Sequence, residues 1–173
     1  NEDFVNCPNW LPFTFKVENG NWLEINENTL KSFKRSLNFR TGLLIRNIEA
    51  CDENGNETLI VSQRIASMAD PHMAAMRYTI IPLNYSGNVT FKTGIDGTVT
   101  NQGVERYKSL NQQHLSPVEE FGKNDIDFVL VETTQSGIEI ATACTYRFIE
   151  NYRDIDFDFI TTTEPGKVNN EFT

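Results

Sequence analysis

The sequence predicts an all-β fold, an antiparallel sandwich built from large, extended sheets. Three observations carry that expectation. Apolar and polar residues alternate at period two through most of the chain, Asn-Gly and Ser-Gly turns separate the alternating runs, and no helical crossover joins them. Successive strand side chains point to opposite faces, so this period buries one face and leaves the other to solvent.

The elements follow in order. In the first run Leu11, Phe13, Phe15 and Val17 share a face, with Thr14, Lys16 and Glu18 opposite. Phe33, Leu37 and Phe39 keep odd spacing in the second, and Leu44, Ile48 and Ala50 line a face of the third. The runs "ETLIVSQRIAS" (57–67), "HMAAMRYTIIPL" (72–83) and "GNVTFKTGID" (87–96) continue the pattern. In the last of these Val89, Phe91, Thr93 and Ile95 alternate with Thr90, Lys92, Gly94 and Asp96. "IDFVLVETT" (126–134) and "GIEIATACTYRF" (137–148) close it. "ENGN" (18–21) and "DENGN" (52–56) carry Asn-Gly, a strong hairpin signal because both residues tolerate positive φ. "YSGN" (85–88) and "QSGI" (135–138) do similar work. A strand of about ten residues covers about 33 Å, so runs of this length predict extended sheets rather than a compact immunoglobulin-like sandwich.

Two segments break the pattern. Residues 97–125, "GTVTNQGVERYKSLNQQHLSPVEEFGKND", read as a long polar excursion, and irregular insertions of that length are functional or mobile loops. After Phe148 the alternation of Ile155, Phe157 and Phe159 gives way to polar sequence. The expected organisation is therefore one sandwich domain over 1–150, then a last strand and the start of a linker over 151–173.

Composition fits one domain with a sizeable core: the 173 residues are 39% hydrophobic, with twelve Phe and five Tyr. No stretch approaches the roughly 20 apolar residues of a membrane helix, and no signal-peptide pattern opens the chain. The chain starts at Asn1 rather than Met and is expected to be a processed or excised piece. A cytoplasmic location is expected, with secretion left open. The net charge of −9 concentrates after Glu119, where twelve acids face four bases. No basic cluster offers to displace counterions from phosphates, so nucleic acid is not an expected partner. Cys7, Cys51 and Cys144 lack paired spacing and are read as free thiols, Cys144 as a small buried residue. The sequons at Asn56, Asn84 and Asn88 matter only in a glycosylating cell.

Asp70-Pro71-His72 is the stretch that most resembles chemistry. A zinc site needs three or four ligands, and with His114 the chain has only two histidines. Ser67 lies in no nucleophile-elbow context. Pro71 bars the helical region at Asp70, and an Asp carboxylate can bond the backbone two residues on, so the expectation is a corner. Glu119–Glu120 and the alternating Asp154, Asp156 and Asp158 are the paired carboxylates; the three Asp read as a solvated face opposite Ile155, Phe157 and Phe159. Trp10, Trp22, Tyr85 and Tyr107 are the aromatic candidates for stacking a sugar, with core or edge packing as the competing role. No Walker loop, dinucleotide fingerprint or H-E-x-x-H is present, and no catalytic, metal or substrate-binding residue is assigned.

Four segments in order, "VNCPNWLPF" (5–13), "LKSFKRSLNFRTGLLIR" (30–46), "RIASMADPHMAAMRYTIIPLNYSG" (64–87) and "GIDGTVTNQGVERY" (94–107), give the chain a resemblance. Over residues 5–148 it resembles the N-terminal domain of glycoside hydrolase family 65, which holds maltose, trehalose and kojibiose phosphorylases and hydrolytic relatives. The resemblance implies a large antiparallel β-super-sandwich, similar to the galactose mutarotase-like fold, followed by a helical linker and an (α/α)6 barrel that carries the catalytic machinery. It implies inversion at the anomeric centre: a Glu general acid protonates the glycosidic oxygen while phosphate, or base-activated water, attacks from the opposite face. Those residues belong to the barrel, so none is carried onto this chain. The function expected is a non-catalytic sandwich domain that supports the barrel, and through the 97–125 loop its active-site rim or a homodimer contact. The alternative is a free-standing carbohydrate-binding module. No cofactor is expected, with inorganic phosphate as co-substrate if the parent is a phosphorylase.

Overall fold

The computed structural model describes residues 5–101, 112–123 and 125–173. Among these every residue lies in a strand, turn or irregular segment, and every named pairing between strands is antiparallel. The chain divides into two compact units, one of Thr14–Thr90 and the other of residues 1–13 with 91–173. The division passes through the first strand, β1 (Phe13–Val17), and through the start of the sixth.

The Thr14–Thr90 unit is a four-strand meander of β2 (Leu30–Asn38), β3 (Leu43–Cys51), β4 (Glu57–Ala66) and β5 (Ala74–Pro82), in that spatial order. The period-two pattern works as expected on its inner strands: Ile48, Ala50, Ile60 and Ser62 are buried on one face. Phe39, expected to continue the β2 face, falls beyond the strand end and is exposed, and β2 itself shifts register between Leu30 and Ser32. The Asn-Gly loop at 52–56 is closed from within. Asp52 Oδ1 accepts from the Asn54 and Asn56 amides at 2.8 and 2.9 Å, and Gly55 takes φ 82, a value a side chain would disfavour. The "ENGN" signal at 18–21 also makes a turn, with Gly20 N–H donating to the Val17 carbonyl at 2.9 Å, but Glu18 holds the positive φ and no strand follows directly.

The other unit holds β6 (Val89–Asp96), β7 (Leu115–Lys123), β8 (Ile126–Thr133), β9 (Glu139–Thr145), β10 (Phe148–Glu150), β11 (Arg153–Ile155), β12 (Ile160–Glu164) and β13 (Lys167–Phe172). Its sheets run β6-β13-β12, β7-β8-β9 and the small ribbon β10-β11. Ile95, Leu115, Val129, Val131 and Val168 meet in one core, each essentially inaccessible. Burying each such side chain contributes about 1.5–3 kcal/mol, so this cluster dominates the local stability. Phe148, Phe157, Phe159 and Phe172 pack together in tilted and edge-to-face pairs, with Phe148 and Phe172 centroids 4.4 Å apart.

Two expectations are corrected here. The 97–125 excursion is not irregular throughout, because Leu115–Lys123 forms β7 on the edge of the β7-β8-β9 sheet. Pro117 sits at a register shift there, which is where an edge strand tolerates a missing N–H. The rest of that expectation, including Tyr107, lies at 102–111 outside the described residues. Residues 160–172, expected to open a linker, instead form the β12–β13 hairpin around Pro165-Gly166. Gly166 has φ 75 and donates its N–H to Glu120 Oε2 at 2.9 Å.

Candidate functional site: a buried carboxylate at the foot of a cleft

In the 91–173 unit a cleft of about 180 Å³ opens between β8, the β12–β13 hairpin and the extended Phe157–Phe159 segment. Asp127 of β8 and Asn170 of β13 close its foot, each 2% exposed. Lys123, Asp125, Asp158 and Thr161 line its walls with Phe157 and Phe159.

The foot is one hydrogen-bonded chain. Tyr146 O–H donates to Asp127 Oδ2 at 2.6 Å, and Asn170 Nδ2 donates to the same oxygen at 2.7 Å. Thr161 Oγ1 in turn donates to Asn170 Oδ1 at 2.7 Å. Burying a carboxylate is tolerable when strong donors replace its water, and two short bonds to one oxygen do that here. Gly122 lets β7 come close: a Cβ there would run into the Thr161 methyl and lie 3.1 Å from Asp127 Oδ1.

The electrostatics favour a static role. Burial, with the adjacent Asp127 carboxylate, holds the Tyr146 hydroxyl far above its ordinary range, so it stays a proton donor at every physiological pH. Burial and Asp127 likewise push the Cys144 thiol up to about 11, which keeps it un-ionised and unreactive. A general acid or base must trade its proton near the working pH, and neither group does. The volume is also below the roughly 300 Å³ at which ligand pockets begin, room for a few waters rather than a disaccharide.

The sequence candidates do not converge. Asp70 Oδ1 accepts from the His72 amide at 3.0 Å and Ser67 Oγ from the Asp70 amide at 3.0 Å, which is the expected corner between β4 and β5. His72 lies in the Thr14–Thr90 unit and His114 in the other, and no cluster of three potential metal ligands occurs among the described residues. Glu119 is exposed while Glu120 holds the β12–β13 turn, so they are not a working pair. Asp154, Asp156 and Asp158 are exposed and Ile155, Phe157 and Phe159 half-buried, as the alternation implies. Asp154 is bound bidentately by Arg147 at 2.6 and 2.9 Å. Trp10 is half-buried; Trp22 carries Lys16 Nζ 4.9 Å from its ring centroid; Tyr85 shares a 2.9 Å bond with Thr58. Cys7, Cys51 and Cys144 are free. The side chains of sequon residues Asn56 and Asn84 are engaged, by Asp52 and by the Gly55 carbonyl.

Asp127 and Asn170 were not among the candidates, although a signal existed. In "IDFVLVETT" Asp127 shares its period-two face with Val129, Val131 and Thr133, and in "KVNNEF" Asn170 shares one with Val168 and Phe172. A polar residue on an otherwise buried face is a polar residue in the core.

Fold and cleft together define an all-β antiparallel domain whose described polar centre is built for cohesion. The comparisons give its family. The family model described as "Glycosyl hydrolase family 65, N-terminal domain" matches residues 1–173. An uncharacterized glycosyl hydrolase of Mycobacterium tuberculosis is 37% identical over 143 residues, covering 83% of this chain and 11% of that protein. A kojibiose phosphorylase of Halothermothrix orenii is 34% identical over 154 residues, covering 89% of this chain and 19% of its own. A solved structure titled "Putative kojibiose phosphorylase from human microbiome" superposes with a TM-score of 0.77 at 15% identity, over 97% of this chain and 20% of that one. The chain belongs to glycosyl hydrolase family 65, as its N-terminal domain. It spans less than a quarter of the length of these relatives.

Proposed function

We propose that residues 1–173 are the supporting sandwich domain of an inverting α-glucoside phosphorylase or hydrolase, with the reacting groups on an (α/α)6 barrel elsewhere in the polypeptide. The observation that carries this reading is the state of the buried carboxylate: Asp127 has two donors on one oxygen and its neighbours Tyr146 and Cys144 keep their protons. An inverting glycosidase needs an acid and a base standing apart across the bond it breaks, whereas the two protonated groups beside Asp127 hold their protons far above neutral pH. Family membership supports a carbohydrate-active parent, and several relatives are named kojibiose phosphorylase or α,α-trehalose phosphorylase. The substrate would accordingly be an α-linked glucose disaccharide, with inorganic phosphate as co-substrate in the phosphorylase case. A cytoplasmic site of action and a homodimer belong to the same proposal.

The test is the Asp127→Asn substitution in the full-length enzyme, assayed on kojibiose, trehalose and maltose with phosphate. Retained kcat/KM with a lowered unfolding midpoint supports the reading. Loss of kcat at unchanged stability contradicts it. Completion of the active-site rim or of a dimer contact by the 97–125 segment is part of the same proposal.

A further inference from the structure

The meander of the Thr14–Thr90 unit carries an unusual row of side chains on one face. Its register sets Arg35, Arg46, Ser62 and Tyr78 directly opposite one another across all four strands. The next row on the same face is Leu37, Leu44, Arg64 and Met76, and the row on the other side is Phe33, Ile48, Ile60 and Ile80. Arg46 and Arg64 are therefore diagonal neighbours on adjacent strands, close enough to repel.

Three buried side-chain polar atoms have no hydrogen-bond partner among the described residues: Arg46 Nε, Ser62 Oγ and Arg64 Nε. All three fall in this one patch. A buried polar group without a partner is destabilising, and two like charges side by side add to that. Burial, then the Arg46 charge, lowers the Arg64 guanidinium below its ordinary value, which is the same frustration expressed as a proton equilibrium. The register places no Asp or Glu on this face, from Phe33 to Pro82. Around the cations, Phe33 and Leu37 stand 52% and 48% exposed.

An apolar rim around half-buried arginines whose Nε atoms lack a partner is the anatomy of a protein interface rather than of a free-ion site. The missing charge is negative, and the relatives extend well beyond the span matched here. We propose that this face docks a segment of the same enzyme's polypeptide outside residues 1–173, which brings an Asp or Glu carboxylate to Arg46 and Arg64 and apolar side chains to Phe33 and Leu37. The inference rests on the supporting-domain reading and gives it a contact point.

The test turns on a sign. In the full-length enzyme, Arg46→Met and Arg64→Met are compared with wild type by thermal unfolding. If a carboxylate is docked, each variant strands it unpaired and the midpoint falls. If the face is open, each variant removes a repulsion and the midpoint stays or rises, which overturns the proposal. Should a variant fail to fold, labelling of the wild-type enzyme with 4-hydroxyphenylglyoxal decides, by peptide mass spectrometry. Arg46 and Arg64 modified far more slowly in the wild-type enzyme than in a variant whose docking rim is made polar by Phe33→Gln and Leu37→Gln support docking, and equal rates in the two end it. Protection lost on dilution to monomers assigns the face to a second copy, and a midpoint raised by inorganic phosphate only while both arginines are present assigns it to a free anion; either outcome also overturns the proposal. Failure of the supporting-domain reading shows separately, as an enzyme lacking residues 1–173 that keeps its full kcat/KM and midpoint.

Discussion

Tyr146 donates a 2.6 Å hydrogen bond to Asp127 Oδ2, across the span from β8 to the segment after β9. The same oxygen takes the Asn170 amide from β13. One carboxylate oxygen thus ties together three parts of the chain that are far apart in sequence, inside a unit whose other cohesion is apolar.

Removing that oxygen strands the buried Asn170 amide and takes from the half-buried Tyr146 hydroxyl its bond to Asp127. Asp127→Ala is expected to destabilise the domain by about 3 kcal/mol, since hydrogen bonds to a charged group contribute about 1.5–3 kcal/mol and the orphaned Asn170 donor stays buried. Asp127→Asn keeps an acceptor oxygen in place and is expected to cost less. Urea unfolding of both variants checks the order; equal stability of Asp127→Ala and wild type would dissolve the account of this network.

Alkaline pH tests the same bond from the other side. Tyr146 is held protonated in the fold above its ordinary value of 10.0, with burial the first cause and Asp127 the second. Above pH 10 the unfolded chain loses that proton while the folded one keeps it, so the folded state binds more protons and stability falls as pH rises. The contribution is intact below pH 10 and declines above it. Burial acts in the same direction on Tyr78 and Tyr85. Tyr146→Phe is expected to flatten the decline between pH 10 and 11 in unfolding midpoints, and an unchanged slope would remove Tyr146 from its cause.

Gly94 faces the backbone of β13, where an added Cβ would run into the Val168 carbonyl and lie 3.0 Å from Asn169 Cα. Backbone cannot rotate aside as a side chain can. Gly94→Ala is expected to force β6 and β13 apart and to cost more than the roughly 1–3 kcal/mol of ordinary overpacking. Soluble, two-state protein with a wild-type midpoint would contradict that contact.

The corner at Asp70 is expected to be structural only. Asp70→Ala removes one exposed bond to the His72 amide, worth about 1 kcal/mol, and leaves kcat/KM of the full-length enzyme unchanged. A large loss of kcat would return Asp70 and His72 to the chemistry.

Much of this architecture was legible because period two survives wherever one face is apolar. Val129 and Val131, or Ile48 and Ala50, show it plainly, and Asp70-Pro71 announces its corner through constraints that need no tertiary context. β7 was hidden because Pro117, Glu119, Glu120 and Gly122 are poor strand formers, and its pairing with β8 rests on tertiary partners. The β12–β13 hairpin was hidden by its own polar centre, for Asn170 sits where a valine would have made the pattern obvious. The Arg46 and Arg64 face illustrates the same limit: each arginine looks like a solvated residue until the register places the two side by side.

The most direct measurement is turnover of kojibiose, trehalose and maltose, with and without inorganic phosphate, by the full-length polypeptide and by residues 1–173 alone. The account predicts turnover with anomeric inversion in the full-length enzyme and none in residues 1–173. Turnover by residues 1–173 alone, or a full-length enzyme inert toward every α-glucoside, would contradict it.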